Sequence, residues 1–181
     1  MHSKPKITWK FTAISLAMAV SACVHQPVAD KAVARASLIN AQGQVSGTAT
    51  IIGTPGKLTM RIDAKGIPAG KHGIHLHQVG GCDAPAFDSA GPHWNPAGRK
   101  HGLQNSNGPH AGDFPNVEAD SAGNVMTSIT LDTLELTGGS QPLLDSDGAA
   151  VVIHAQADDN TSDPSGNSGT RILCGIVKLT G

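Results

Sequence analysis

Residues 58–63 read Leu-Thr-Met-Arg-Ile-Asp, with an apolar side chain at every second position. Because successive side chains of a β-strand point to opposite faces of a sheet, this alternation predicts an antiparallel strand with one buried face. Segments rich in β-forming residues recur along the chain at 45–52, 73–78, 125–131, 149–154 and 174–179. No segment keeps a helical period for ten residues, so the chain is expected to be an all-β protein.

The composition agrees with this expectation. Aromatic residues make up only 3% of the 181 residues and tyrosine is absent, whereas there are 22 glycines and 11 prolines. The core must therefore come from Val, Ile, Leu and Ala, as in a loop-rich β protein. The length fits one globular domain and an export segment.

Two long connections interrupt the β pattern, and both are dense in Gly, Pro, Asn, Asp and Ser. We call 80–116 the first loop and 156–171 the second loop. Structureless connections of this length inside a compact domain indicate a function or an external constraint, such as a metal or a disulfide.

Histidine is over-represented, with nine in all and seven between His72 and His154. His75 and His77 lie on a predicted strand, where alternation points both imidazoles to the same side. His-X-His alone is a weak indication, but His154 also ends a buried strand pattern and His93 lies on the first loop. These four residues, the strand-end set, would make an all-nitrogen tetragonal site suited to Cu²⁺.

A second candidate site lies within the first loop. His93, His101, His110 and Asp113, the loop set, offer three nitrogens and one carboxylate oxygen, enough to close a tetrahedral zinc shell. The alternative for each residue is a solvated loop side chain. A closed shell is structural, because metal-binding free energy becomes folding free energy. His93 would then serve both metals, and the residues alone leave open whether it bridges them.

Six motifs resemble the copper-zinc superoxide dismutase family, in order and with similar spacing. They are GIHLH (73–77), GCDAP (81–85), AGPHWNPAGRKHG (90–102), GPHAGDFPN (108–116), VVIHAQADD (151–159) and GNSGTRILCGIV (166–177). The resemblance covers roughly 37–179. It implies an eight-stranded Greek-key β-barrel or sandwich with two long functional loops, an architecture that the family is known for.

The resemblance also implies roles for the two sets and one copper and one zinc per subunit. By this resemblance the copper ligands would be His75, His77 and His154, and the bridging imidazolate would be His93. The remaining zinc ligands would be His101, His110 and Asp113. Asp158 resembles the carboxylate that orients His75 and His101, with Asp159 as the near alternative. His72 resembles a structural histidine outside the metal sets.

Three further residues take roles from the resemblance. Cys82 and Cys174 match the intrasubunit disulfide, the alternative being two free buried thiols. Arg171 matches the arginine that docks the anionic substrate, the alternative being a salt bridge to a nearby aspartate. Unlike many family members, this chain has no lysine at 156–170, so long-range attraction of the substrate is expected to be weak or to come from elsewhere.

The implied activity is dismutation of superoxide by copper cycling between Cu²⁺ and Cu⁺, with His93 and Arg171 catalytic and zinc structural. It would protect the cell envelope from superoxide. The principal alternative is a dismutase-like protein that binds copper and zinc without turnover. A zinc hydrolase is disfavoured, since the chain has no His-Glu-X-X-His motif.

The amino-terminal segment has the layout of a bacterial lipoprotein signal. Three lysines precede an apolar run at 11–20, which is too short to span a bilayer, and small residues precede Cys23. We expect a signal peptide at 1–22, lipidation of Cys23, a tether at 23–36 and the catalytic domain at 37–181. Ordinary signal cleavage is the alternative. The expected location is the periplasm, with the lipid at a membrane.

The charge balance indicates no nucleic-acid partner. Removing residues 1–22 takes away three lysines and no acids, so the formal net charge changes from -1 to -4. The sequence leaves both a monomer and a homodimer open.

Overall fold

The computed structural model describes residues 31–54, 56–132 and 134–181. The strands are β1 (Lys31–Asn40), β2 (Val45–Thr54), β3 (Lys57–Ala64), β4 (Gly70–His72), β5 (Ile74–His77), β6 (Val117–Ala119), β7 (Val125–Thr130), β8 (Ala150–His154), β9 (Arg171–Ile176) and β10 (Lys178–Leu179). Within these ranges the one helical element is a 3-10 turn at Asp88–Ala90. The all-β prediction is confirmed. In the same part of the chain, no helix has the length and apolar character needed to cross a membrane.

Eight strands form one antiparallel sheet in the order β5-β8-β9-β1-β2-β3-β7, with β10 paired to β1. The other two strands, β4 and β6, pair with each other. Because β4 runs into β5 with only Gly73 between them, and β6 is joined to β7 by a short turn, this pair connects the two edge strands of the large sheet. The sheet therefore curls toward a barrel, with β5 and β8 at the end that carries the histidines.

The core lies on the concave side of the curled sheet. In β3, Met60, Ile62 and Ala64 are buried while the residues between them are exposed, so the alternation at 58–63 predicted this strand correctly. Each fully buried Ile or Leu contributes about 1.5–3 kcal/mol relative to an exposed side chain. The sequence pattern therefore reports which face of the sheet is removed from water.

Strand β8 lacks this alternation because both of its faces are covered. Val151 and Ile153 pack into the main core, whereas Ala150 and Val152 pack on the other side against a small cluster that includes Phe87 and Cys174. All five residues of β8 are buried. His154 ends this fully covered strand, so its position under the first loop is set by packing on two sides.

The amino-terminal boundary of the domain differs from the expected one. β1 begins at Lys31, so residues 31–36, expected to belong to the tether, lie in the sheet and pair with β2. Ala34, Ala36 and Leu38 are buried on one face, but small alanines give only a weak alternation in the sequence. The predicted signal peptide, Cys23 and the rest of the tether lie outside the described residues.

A disulfide joins Cys82 to Cys174, as the family resemblance implied, with their Cα atoms 5.6 Å apart. It links the start of the first loop to β9 across 92 positions of sequence. The start of the otherwise irregular first loop is thereby attached to the sheet.

Candidate metal centre

The strand-end set is assembled by β5, β8 and the first loop. β5 pairs with β8 so that His77 lies opposite Ala150, and on its other edge the first loop adds isolated bridges from His93 to His77 and from Asp113 to His75. Two separate positions of the first loop therefore each form a single bridge to β5, and both residues belong to a predicted metal set.

Four imidazoles converge at this edge. His75, His77, His93 and His154 each offer a nitrogen, and these nitrogens all lie within 4.8 Å of one another. The inward atoms, Nδ1 of His75 and Nε2 of the other three, are buried and have no hydrogen-bond partner among the described residues. Unpaired buried polar atoms cost free energy, so four that face a common point are the arrangement that a metal ion satisfies.

The outward nitrogen of each ring is tied to an acceptor. His75 Nε2 lies 2.8 Å from Asp158 Oδ2, His77 Nδ1 lies 2.8 Å from the Gly91 carbonyl oxygen, and His154 Nδ1 lies 3.2 Å from that of Gly169. These contacts orient the rings and determine which nitrogen faces the centre. The donor set, four imidazole nitrogens, fits copper.

Burial keeps three of these rings neutral in the metal-free protein. It lowers the pKa of His75 to about 4 and that of His154 to about 3, and it lowers the pKa of His77 well below its usual value. Their inward nitrogens therefore carry free lone pairs at neutral pH, as a metal ligand requires.

The loop set converges on Asp113. Its Oδ1 lies 3.0 Å from Nδ1 of His93, 3.0 Å from Nδ1 of His101 and 3.4 Å from Nδ1 of His110. Ligands on a tetrahedral zinc ion with bonds of about 2.0–2.2 Å would be separated by about 3.3–3.6 Å, the edge of that tetrahedron. The side chains present therefore fit zinc.

His75 also lies close to the loop set. One donor atom each of His75, His93, His101 and Asp113 lie within 4.8 Å of one another, so His75 competes with His110 for the fourth position. Hydrogen bonding favours His110. His75 already gives Nε2 to Asp158 and turns Nδ1 into the strand-end set, whereas Nδ1 of His110 is buried without a partner among the described residues and faces Asp113.

Hydrogen bonds within the loop set outweigh the effect of burial on the pKa values of Asp113 and His101. Burial opposes the charged forms, yet hydrogen bonds from His101, His93 and the Gly102 N–H hold the pKa of Asp113 well below its usual value. Burial likewise opposes protonation of His101, but its hydrogen bonds to Asp113 and Asp158 raise its pKa to about 9. Zinc binding would therefore displace a proton from His101.

Asp158 connects the two sets from behind. Its Oδ2 contacts His75 Nε2 at 2.8 Å and its Oδ1 contacts His101 Nε2 at 3.0 Å. Asp159, the near alternative in the sequence, instead accepts hydrogen bonds from within its own loop and is exposed. Of these two adjacent aspartates, the one that contacts both sets is therefore Asp158, which the family resemblance had favoured over Asp159.

Two residues that the sequence analysis did not single out hold Asp158 in place. Asn116 accepts the Asp158 backbone N–H at 2.7 Å and donates to its carbonyl oxygen at 2.8 Å. At Gly166, where φ is +63°, a Cβ atom would lie 1.8 Å from Asp158 Oδ1. Asn116 ends the GDFPN motif and Gly166 begins the GNSG motif, but neither motif indicates this contact.

Arg171 lies beside the strand-end set, opposite His154 in the β8–β9 ladder. Its charge is among the causes that lower the pKa of His77 and of His154. Both terminal nitrogens donate to carbonyl oxygens, of Phe87 at 2.6 Å and Gly91 at 2.8 Å, rather than to a carboxylate of a described residue. A half-buried cation, near enough to the Asp88 carboxylate to feel its charge but hydrogen-bonded only to carbonyl oxygens, therefore lies next to the histidines.

His72, placed outside the metal sets by the sequence analysis, contributes no nitrogen to either. Its Nε2 lies 2.7 Å from the Pro68 carbonyl oxygen and its Nδ1 lies 2.8 Å from that of His154. It therefore supports the end of β8 from the side away from the centre.

Comparison with known proteins agrees with this geometry. The sequence model of the family described as copper/zinc superoxide dismutase (SODC) matches residues 45–177. "Superoxide dismutase [Cu-Zn] 2" of Aquifex aeolicus is 44% identical over 147 residues, covering 80% of this chain and 86% of the relative. "Superoxide dismutase [Cu-Zn] 1" of the same organism is 40% identical, covering 83% and 90%.

Solved structures of a SOD-like protein from Bacillus subtilis are also similar. A double mutant of that protein, with histidine introduced at two positions, is 41% identical and has a TM-score of 0.76, covering 81% of this chain and 97% of the other. The form without these mutations is 39% identical with a TM-score of 0.75. Both comparisons support the same fold.

Proposed function

Because this chain belongs to the copper/zinc superoxide dismutase family, we propose that it converts two superoxide anions and two protons into one dioxygen and one hydrogen peroxide. The observation that carries the proposal is the set of four buried nitrogens without partners among the described residues, converging beside the positively charged Arg171. The chain thus combines a copper-type donor set with a group that attracts an anion.

The two sets receive different roles in this proposal. His75, His77, His93 and His154 would hold copper, and His93, His101, His110 and Asp113 would hold zinc. Copper, when bound, supplies one-electron chemistry by cycling between Cu²⁺ and Cu⁺, while zinc is structural. Asp158, which contacts His75 and His101, would keep one ring of each set in place.

His93 belongs to both sets through different atoms. Its Nδ1 faces Asp113 Oδ1 at 3.0 Å, and its Nε2 is buried and faces the other three histidines. It is therefore the ring that can hold a proton at Nε2 while Nδ1 stays engaged on the zinc side. A proton held at Nε2 of His93 would be one of the two protons that formation of hydrogen peroxide consumes.

Arg171 would bind the substrate. Superoxide is a small anion, and the guanidinium is held by two carbonyl oxygens rather than hydrogen-bonded to a carboxylate of a described residue. Burial lowers the pKa of Arg171 from its usual high value, yet arginine keeps its charge in proteins. The arginine would orient superoxide and raise its local concentration.

The alternative is a protein that binds copper and zinc without turnover. It is kept because "Superoxide dismutase-like protein YojM" of Bacillus subtilis, whose name claims only a likeness, is 40% identical over 143 residues. Metal content and superoxide consumption measured on one purified sample separate the two. One copper and one zinc per chain with rapid consumption is expected, whereas full loading without consumption would favour the binding protein.

We also propose that the chain is exported and attached to a membrane of the cell envelope through lipidated Cys23. The signal-like layout of 1–22 supports this, and the Cys82–Cys174 disulfide fits an oxidising compartment. In a bacterial host, the natural chain should incorporate labelled fatty acid and sediment with membranes, and Cys23→Ser should do neither. Equal sedimentation of the two would contradict the anchor.

A further inference from the structure

Asp163 on the second loop contacts the part of the first loop that carries His101 and His110, two histidines of the loop set, which is called the zinc set from here on. Its Oδ1 accepts the backbone N–H of His101 at 2.8 Å, and its Oδ2 accepts a hydrogen bond from Lys100 Nζ at 2.8 Å. The same Oδ1 lies 4.0 Å from Nε2 of His110. One carboxylate thus faces the backbone of one histidine and the ring of another.

In each histidine of the zinc set, Nδ1 faces Asp113 and the second nitrogen, Nε2, needs a partner of its own. Nε2 of His93 faces the strand-end set, and Nε2 of His101 lies 3.0 Å from Asp158 Oδ1. Nε2 of His110 makes no hydrogen bond to any residue in the described ranges. Metal-bound histidines usually donate this second N–H to a carboxylate, a carbonyl or a water, and the 4.0 Å separation from Asp163 is that of a contact through one water or after a small shift.

Backbone packing keeps Asp163 at this position. The Gln104 N–H donates to the Asn160 carbonyl oxygen at 2.9 Å. At Gly102, where φ is +109°, a Cβ atom would lie 2.3 Å from the same oxygen. The two loops are therefore in direct backbone contact three residues before Asp163, so the carboxylate cannot move far from the zinc set without breaking this contact.

We propose that Asp163 is a positioning residue of the zinc set, which fixes the backbone of His101 and orients the ring of His110 through Nε2. It is the counterpart of Asp158, which does the same for the rings of His75 and His101. The proposal rests on the zinc assignment made above. The alternative is that Asp163 only makes a surface ion pair with Lys100, whose side chain is 62% exposed. Such exposed pairs contribute little to stability.

The test uses four variants and zinc affinity measured by competition with a chromogenic chelator. Asp163→Ala removes all contacts, and Asp163→Asn keeps the acceptor for the His101 N–H but loses the charge. Lys100→Gln removes only the ion pair. Asp120→Asn is the matched control, because Asp120 also accepts backbone N–H groups, those of Ala122 and Asn124, but in the turn between β6 and β7.

We expect Asp163→Ala to weaken zinc binding at least tenfold and to change the visible spectrum of the Co²⁺-substituted protein, which reports ligand geometry. Asp163→Asn should show a smaller loss, of at least threefold. Lys100→Gln and Asp120→Asn should stay within threefold of the natural protein, with unchanged Co²⁺ spectra.

An affinity of Asp163→Ala within threefold of the natural protein would overturn the proposal, and so would an equal loss in Lys100→Gln. If Asp163→Ala does not fold, Asp163→Asn decides by its own threshold. Weak zinc binding by the natural protein would instead refute the zinc assignment, so the two failures are distinguishable.

Discussion

The guanidinium of Arg171 is held by the backbone of Phe87, whose carbonyl oxygen accepts a hydrogen bond from it at 2.6 Å. Phe87 has a φ of 58°, in a region that bulky residues rarely adopt. Its side chain is fully buried in the cluster that contains Cys174, with Cys82 packed against it. The orientation of the cation next to the histidines therefore depends on a loop that the disulfide attaches to the sheet.

Removing the charge of Arg171 should slow the reaction. We expect Arg171→Ala to lower the rate of superoxide consumption at least tenfold and to reduce its dependence on ionic strength, because 156–170 contains no lysine that could substitute. Pulse radiolysis across a range of salt concentrations measures both. Arg35→Ala, at an exposed position on β1, is the control of equal charge. A rate that is unchanged at low salt would exclude Arg171 from substrate binding.

A single methyl group at Gly166 should disturb both metal sets. In Gly166→Ala the Cβ atom would lie 1.8 Å from Asp158 Oδ1, so the carboxylate that orients His75 and His101 must move. We expect a tenfold or greater loss of zinc affinity and an altered Cu²⁺ electron paramagnetic resonance spectrum. Gly43→Ala is matched in backbone strain, with a φ of +73° and no atom within 4 Å of the Cβ position, and should change neither. Equal behaviour of the two variants would contradict the prediction.

Zinc should order the first loop locally. The backbone N–H groups of Gly102 and His110 donate to Asp113 Oδ2, each at 2.9 Å, so binding of zinc by the other carboxylate oxygen should hold them closed. We expect their hydrogen exchange to slow at least tenfold when zinc is added to the metal-free protein, as measured by NMR. The N–H of Gly43, in the turn between β1 and β2, serves as the internal reference. Protection that does not depend on zinc would place the metal elsewhere.

The disulfide should contribute a large part of the stability. Cys82 and Cys174 are separated by 92 positions, and in the chain-entropy model a crosslink of this span is worth roughly 4 to 5 kcal/mol, an upper value because native strain is ignored. We expect the double substitution Cys82→Ala with Cys174→Ala to lower the free energy of unfolding of the metal-free protein by about 4 kcal/mol in urea titrations. Reductant should destabilise the natural protein similarly and leave the double variant unaffected. A loss below about 1 kcal/mol would contradict the model.

Sequence patterns predicted the parts of the molecule that depend on residue type and local spacing. Alternation at 58–63 located β3 because a strand with one wet face must repeat every two residues. The histidines and Asp113 were recognisable because few side chains can bind copper or zinc. Strand β1 was not among the predicted strand segments, and its first six residues were assigned to the tether, since alanines such as Ala34 and Ala36 bury too little apolar surface to produce a visible pattern.

The sequence by itself determined the all-β class and the members of the two sets, and family resemblance added the disulfide and the candidate cation, Arg171. Only the tertiary structure decided which nitrogen of each ring faces inward, that Asp158 rather than Asp159 joins the sets, and that Phe87, Asn116, Gly166 and Asp163 hold the ligands and Arg171 in place. The physical reason is the separation along the sequence of the residues that interact. Ligand chemistry and strand alternation are local properties of a chain, whereas these supporting contacts join residues such as Asn116 and Asp158, 42 positions apart, and exist only once the loops are packed against the sheet.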